Sequence, residues 1–348
     1  MTPGGCTNGI STSGISTTSY AVRFRPVGPW RFGPDSGARD RVDLICHSDT
    51  VYSAVCSAMS QLGLMNEWLE ATARSEGTPA VRFSSFYPFQ GKTLLIVPPR
   101  SIWPPAESTK VRYKGARFVP LPVVEALLAD KGIDEDRWAV DGESECLVPH
   151  DRASGPFRIA LRSNAAVDRL EVGKTAGHET ACLEFARDAG LWTVVQFSDD
   201  DAAAQWTAPV HSALLLLADS GVGGERSRGW GRSEAPEWEP WSLPAVEMLG
   251  EGVESAYWLL SLYTPSDKDS VDWKRGSYST VSRRGRIESS ARWGEPKASS
   301  LMIAEGSVLL AASELRGAAR DLAPEGFPHP VYRAGFAVAV PIPWRAAA

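Results

Sequence analysis

The sequence predicts an α+β fold on the split βαβ, or ferredoxin-like, plan, laid down twice along 348 residues. Three observations predict it. Period-two alternation marks a first strand at Tyr20–Phe24, and a helix-spaced segment follows it. After several strand-like pieces, a second apolar helix runs straight into a glycine-rich loop.

Taken in order, Pro26–Gly37 holds three prolines and three glycines and forms a long irregular excursion. In HSDTVYSAVCSAMSQLG, Ser48 or Asp49 caps a helix that places Val51, Tyr52, Val55, Met59 and Leu62 on one face, and Gly63 stops it. Strand-like pieces recur at Ala80–Phe83, Thr93–Val97, Phe157–Leu161 and Leu191–Phe197. Lys110, Arg112 and Lys114 alternate by two, which reads Lys110–Phe118 as an edge strand blunted by charge. Pro209 takes the first position of a helix over Pro209–Ala218. Glu234–Trp241, dense in acid, proline and tryptophan, breaks the pattern as a linker. It divides a leader (1–19) and a larger domain (20–240) from a smaller domain (250–345). Within the latter, Tyr257–Leu262 is a strand, Leu301–Leu310 a strand pair, Ser313–Leu322 a short helix and Tyr332–Ile342 a closing strand. The second copy rests on element order alone.

A net charge of −6 argues against a protein coated in nucleic acid by bulk attraction, so any such contact comes from local basic clusters. From Trp273 to Arg292 there are six basic residues, Arg283, Arg284 and Arg286 among them, against Glu288 alone, an RNA surface or a solvated loop. Acid is segregated in Asp130–Glu145 and Asp199–Asp201. The five cysteines include no C-x-x-C pair, which fits a reducing cytoplasm and encodes neither a disulfide framework nor a zinc knuckle. The Gly/Ser/Thr-rich leader has no basic or apolar region and reads as disordered rather than as a signal peptide; no run is long enough to span a membrane. HExxH, a Walker lysine, paired helical carboxylates and a serine elbow are all missing, so the expectation is no metal, no cofactor and no catalytic residue.

The richest signal is GVGGERSRGWGR. A nucleotide-cradling glycine loop follows a strand and opens a helix; this one follows a helix and leads into a strand. Gly223, Gly224, Gly229 and Gly231 therefore supply a permissive backbone, and Arg226, Arg228 and Arg232, with Ser227, supply donors that hold phosphates. The alternative is a tight turn whose arginines pair with Asp219, Glu225 or Glu234. Trp230 either stacks on a base or fills the core. At the first helix, His47, Ser48 and Thr50 surround free N–H groups and the positive dipole end, a phosphate site or plain capping, with Asp49 opposing an anion. The polar excursion from Arg162 to Glu184, with Asn164, Arg169 and Lys174, is a functional protrusion or a surface loop.

Several pieces in order resemble one family: His47-Ser48-Asp49-Thr50, FSSFYPF, PPRSIWPP, Asp168-Arg169, the glycine loop, SRRGRIESS, Glu305-Gly306-Ser307 and HPVYRAGFAVAVPI. The chain is similar to the RAMP proteins of type III CRISPR effector complexes, most closely the Csm-complex subunit that caps the 5′ end of the guide RNA. The resemblance implies tandem ferredoxin-like (RRM-like) domains, a glycine-rich loop gripping RNA and a thumb-like insertion in the 162–184 excursion. It implies a cytoplasmic, non-catalytic subunit of a type III-A complex that holds the crRNA 5′ handle. The implied partners are the large polymerase/cyclase-like subunit and a neighbouring RAMP backbone subunit. Two rivals stay open: a metal-independent endoribonuclease of the same superfamily using His47, and the capping subunit of another type III complex.

Overall fold

The computed structural model describes residues 18–34, 36–105, 107–152, 154–167, 175–242, 254–289, 291–292 and 294–344. The leader up to residue 17, and Arg169 and Lys174, lie outside them.

The N-terminal lobe begins with β1 (Ser19–Phe24), α1 (Ser48–Gln61) and α2 (Met65–Ala71). Then come β2 (Val81–Phe83), β3 (Tyr87–Gln90), β4 (Thr93–Ile96), α3 (Glu107–Tyr113), β5 (Val119–Pro120) and α4 (Leu121–Leu128). Two hairpins follow, β6 (Trp138–Asp141) with β7 (Cys146–Pro149) and β8 (Phe157–Val167) with β9 (Thr175–Phe185). The lobe closes with β10 (Ala189–Phe197), α5 (Asp200–Ser220) and β11 (Glu237–Pro240). The main sheet runs β11-β1-β10-β3-β4-β5, with β2 also paired to β10. If β1, β2/β3, β10 and β11 are counted as strands one to four, their spatial order is 4-1-3-2 and all pairs are antiparallel, which is the ferredoxin-like arrangement. α1 buries Val51, Tyr52, Val55, Ala58 and Met59 and packs against α5; Gly63, at φ +75°, ends it.

Three readings are corrected in this lobe, and a fourth is decided between its alternatives. Lys110–Phe118 is not a strand: α3 covers its first part, and burial of Thr109, Tyr113 and Ala116 at helical spacing outweighs the alternating charge. α5 starts nine residues before Pro209, capped by the Asp199 side chain, which accepts from Ala202 N; the proline lies inside the helix. Glu234–Trp241 is not a linker, because β11 forms the sheet edge beside β1. The polar excursion is the protrusion that the resemblance implies rather than a surface loop over its described part: β8 and β9 pair without a break from Phe157↔Phe185 to Val167↔Thr175, about 35 Å of ladder.

The C-terminal lobe contains β12 (Ser255–Leu259), β13 (Val271–Ser277), β14 (Thr280–Arg283) and β15 (Ser300–Ile303). It ends with β16 (Val308–Ala311), β17 (Gly317–Asp321), β18 (Tyr332–Phe336) and β19 (Ala339–Pro343). Its sheet runs β13-β16-β12-β19, again 4-1-3-2 when read from β19. The expected helix at Ser313–Leu322 is instead β17, paired with β18, so the described residues place a hairpin where the plan has a crossover helix. Glycine permits it: a Cβ on Gly317, at φ +73°, would stand 2.1 Å from Gly335 O, and one on Gly335 2.5 Å from Thr264 N. The Leu301–Leu310 pair is two strands that belong to different sheets, and Tyr332–Ile342 is two strands rather than one.

Alternate residues of β12 face opposite ways. Ala256 and Trp258 join the hydrophobic cluster of the N-terminal lobe, while Leu259 joins a smaller one with Tyr263, Ile303 and Leu309. Polar bonds cross the same seam: Tyr87 OH donates to Leu260 O (2.6 Å), Trp258 Nε1 to Val97 O (3.1 Å), and buried Arg82 to Ala337 O (3.1 Å).

Candidate nucleic-acid interface

Between the lobes lies a cleft of about 280 Å³, lined by the start of α1, the segment before it, the glycine loop, Arg283–Arg286 and Arg333. A β-bulge supports the helix start that lines it. β2 ends at Phe83↔Val195 and β3 resumes at Tyr87↔Trp192, so Ser84–Phe86 stand opposite two residues. Ser84 Oγ accepts from Val194 N (2.8 Å), and the bulge turns Ser85 toward the helix start, where its Oγ accepts from Ser48 N (2.9 Å) and donates to Glu305.

His47 is 5% exposed and bonded at both nitrogens, Nδ1 to Glu305 Oε1 (2.8 Å) and Nε2 to Asp43 Oδ2 (3.4 Å). Burial opposes its charge, but Glu305 and the bonds to both carboxylates prevail and raise its pKa to about 9. Burial likewise pushes the Asp43 carboxyl up, and the His47 hydrogen bond and charge, with Arg117, overcome it and hold it at about 2. Glu305 is held below its ordinary value by the same imidazolium against the same burial. Asp49 accepts from Arg283 Nη2 (3.1 Å) and Nε (3.2 Å) and pairs with Arg333 Nε (3.4 Å), all three side chains being buried. Despite burial, those guanidinium groups keep Asp49 below the usual carboxylate range. Ser48 Oγ accepts from Leu262 N (3.0 Å). The helix start is thus wired to the other lobe: His47 and Ser48 are internal, and only Thr50, which accepts from Arg283 (3.1 Å), stays half-buried.

Cations dominate the cleft. Seven basic side chains, His47 included, line it against Asp43, Asp49 and Glu288. Burial and repulsion from Arg333 pull the Lys297 ammonium below its ordinary value, the mark of a positively charged recess. Arg333 also shapes the wall, donating to Arg283 O, to Arg284 O (2.8 Å) and to Ser300 Oγ (3.0 Å). Arg284 and Arg286 are exposed at the rim.

The glycine loop forms the opposite rim. A Cβ on Gly223, at φ +92°, would meet Arg31 O at 2.3 Å, and one on Gly231 would meet Val222 O at 2.1 Å. These glycines fold the loop against itself and against Trp30–Phe32. Arg31 is buried and donates to Ala38 O (2.8 Å), Arg39 O (3.0 Å), Arg41 O (2.9 Å) and Ala181 O (2.6 Å), tying the loop to the base of the β8–β9 hairpin. Each loop arginine has an acidic partner: Arg226 with Glu288 (2.6 Å), Arg228 with Glu225 (3.2 Å), Arg232 with Asp219 (2.8 Å). Two of these are the partners expected of a plain turn. All lie at exposed or half-exposed positions, where an ion pair contributes at most about 1 kcal/mol and exchanges readily for a phosphate. Trp230 is 8% exposed, so its reading as a stacking residue is corrected: the ring fills the core and has no free face.

The cleft therefore gathers His47, Thr50, Gly223, Gly224, Arg226, Arg283, Arg284 and Arg286. Ser227, Arg228, Gly229, Gly231 and Arg232 belong to the loop but do not line it. Arg162, paired with Glu184, and Asn164, donating to Thr180 Oγ1 (3.2 Å), sit apart on the hairpin. Lys297 and Arg333 were missed. Arg333 falls inside the HPVYRAGF motif, but nothing in spacing sets it apart, and a solitary Lys297 carries no sequence signal.

Residues 253–342 match the family model of the CRISPR Csm4 C-terminal domain. No curated protein sequence matches the chain. Among solved structures the fold is similar to a chain in the crystal structure of the Csm3-Csm4 subcomplex of the type III-A CRISPR-Cas interference complex, with a TM-score of 0.62 at 15% identity, covering 94% of this chain and 99% of that one. It is also similar to a chain of the Csm1-Csm4 cassette in complex with cA4, with a TM-score of 0.57 at 17% identity, covering 95% and 99%. Among the described residues no helix is long and apolar enough to cross a membrane.

Proposed function

We propose that this chain, Csm4-like in fold and carrying a Csm4 C-terminal domain, is a non-catalytic guide-RNA-binding subunit of a type III-A interference complex, working in the cytoplasm. It holds the 5′ repeat handle of the crRNA and anchors the large polymerase/cyclase-like subunit beside a neighbouring RAMP backbone subunit. The assemblies that hold the similar chains, with Csm1 and with Csm3, support the two partnerships. The observation that carries the RNA reading is the cationic inter-lobe cleft, with Lys297 depressed by burial and by Arg333, beneath half-buried Arg226 and exposed Arg284 and Arg286.

In this reading the two sets of charges have separate tasks. The buried Asp49–Arg283–Arg333 and Asp43–His47–Glu305 groups fix the lobes, because removing one partner would strand a buried charge. Arg226 exchanges Glu288 for a guide phosphate, Arg284 and Arg286 contribute from the facing rim, and the exposed loop residues Ser227, Arg228 and Gly229 add donors along the backbone. Arg162 and Asn164 bring the hairpin to the same strand of RNA. His47 supports the non-catalytic reading: a charged imidazolium bonded at both nitrogens offers no free base for the 2′-hydroxyl.

Incubating the chain with labelled precursor RNA, without metal, tests this. Retention without product is expected; a cleaved product that disappears in His47→Ala would refute the reading in favour of the nuclease. In the reconstituted complex, Arg284→Ala with Arg286→Ala should lower guide occupancy, and unchanged occupancy would place the RNA elsewhere.

A further inference from the structure

Beyond the cleft, β13 departs from its sheet. Between the pairs Asp272↔Leu310 and Ser277↔Val308, the four residues Trp273–Gly276 stand opposite Leu309 alone. This bulge carries Trp273, 40% exposed, against Tyr278, 37% exposed, with centroids 5.5 Å apart and planes at 79°. The Tyr278 hydroxyl donates to Trp273 O (3.3 Å) and closes the bulge. Gly276 makes room for it, since a Cβ there would lie 3.1 Å from the tyrosine ring. In an edge-to-face pair one ring keeps both faces clear of its partner. Two large aromatic rings, each more than a third exposed at a sheet edge, are not explained by core packing.

From Tyr278 the chain leads directly to the cleft. Tyr278, Thr280, Ser282, Arg284 and Arg286 alternate on the exposed side, while Val281 is half-buried and Arg283 and Ile287 are buried. The exposed residues are aromatic, then hydroxyl-bearing, then cationic, with no acid among them. The six-residue step from Tyr278 to Arg284 spans about 20 Å. Asp272 and Glu254 lie near the bulge, but both are engaged with Arg275.

We infer that single-stranded RNA leaving the cleft runs along the exposed side of β14 and ends with a base stacked on the Trp273–Tyr278 pair. Thr280 and Ser282 donate to sugar or phosphate oxygens on the way, and exposed Lys274 faces the terminal phosphate. This path rests on the cleft reading above. A protein partner is disfavoured because, apart from the single exposed Leu301 opposite Ser282, the aromatic pair continues into a hydroxyl and arginine strip rather than into an apolar patch.

The test uses the reconstituted complex and a guide with 4-thiouridine placed at each position in turn. One nucleotide should crosslink to the peptide holding Trp273 and Tyr278, and others to Arg284–Arg286. Trp273→Ala with Tyr278→Ala should remove the first crosslink and keep the second. For the full chain, the same double variant should weaken a strand long enough to span both places by about 10-fold and leave one that fills only the cleft unchanged; Trp273→Phe with Tyr278→Phe should retain most of the binding. Crosslinks at Arg284–Arg286 with none at Trp273–Tyr278, or a crosslink from that pair to a protein subunit, would overturn the inference while sparing the cleft. Loss of both sets would refute the cleft reading and this one together.

Discussion

Asp49→Asn is the most informative single change at the seam. It keeps the shape and one acceptor oxygen but removes the charge that faces two buried guanidinium groups at 3.1 and 3.4 Å. Removing one partner from a buried ion pair costs about 3–5 kcal/mol, because the survivors keep their desolvation penalty. Arg283 and Arg333 would then repel each other, with Lys297 nearby. For a chain of this size the expected fall in Tm is on the order of 5–15 °C. Thermal and urea unfolding of the purified chain measure it. Guide affinity of the folded variant should hold or rise, because a carboxylate has left the floor of an anion site. A loss below about 1 kcal/mol would refute the claim that this triad locks the lobes. A fall in guide affinity at unchanged stability would show Asp49 touching the RNA instead.

Three further outcomes are expected. His47 has its pKa raised to about 9, so its contribution of about 3 kcal/mol is complete below pH 6.5 and lost as pH rises through 9; unfolding free energy measured from pH 6 to 10 should fall in the native chain and stay nearly flat in His47→Gln. Gly229→Ala meets only the left-handed φ of +79°, a penalty of about 1–2 kcal/mol, whereas Gly223→Ala also drives a Cβ to 2.3 Å from Arg31 O; equal destabilisation in thermal melts would contradict this account of the loop. Arg226→Ala should change stability by less than about 1 kcal/mol yet flatten the slope of log affinity against log salt by roughly 0.7, and an unaltered slope would mean that Arg226 touches no phosphate.

What could be read in the sequence followed from local physics. β1, α1 with its glycine stop, and the helix-to-loop passage at Gly221 each announce themselves within a few residues, by alternation, by helical burial or by a conformation open to glycine. Misreadings came where tertiary partners decide. Pro209 resembles a helix start, yet Asp199 supplies a better cap and Trp206 buries the extra turns. Glu237–Pro240 is polar because it is an edge, and only β1 beside it makes it a strand. The rim arginines were visible as a composition, but the depth of His47 and the recess around Lys297 arise from Glu305 and Arg333, residues 258 and 36 positions away, which no local window joins.

That the described residues of the C-terminal lobe include no helix has a consequence for how the chain is born. Ala256, Trp258, Val308, Val340 and Ile342, with no crossover helix over them among the described residues, pack into the core of the preceding lobe. The N-terminal lobe, leaving the ribosome first, must wait with that apolar surface wet until the C-terminal lobe arrives. A truncated fragment from either side should aggregate rather than fold, whereas the two fragments co-expressed should rescue each other. Any ligand seated across the seam would act as a folding aid for the whole polypeptide, so nascent chains would mature fastest where guide RNA is already abundant.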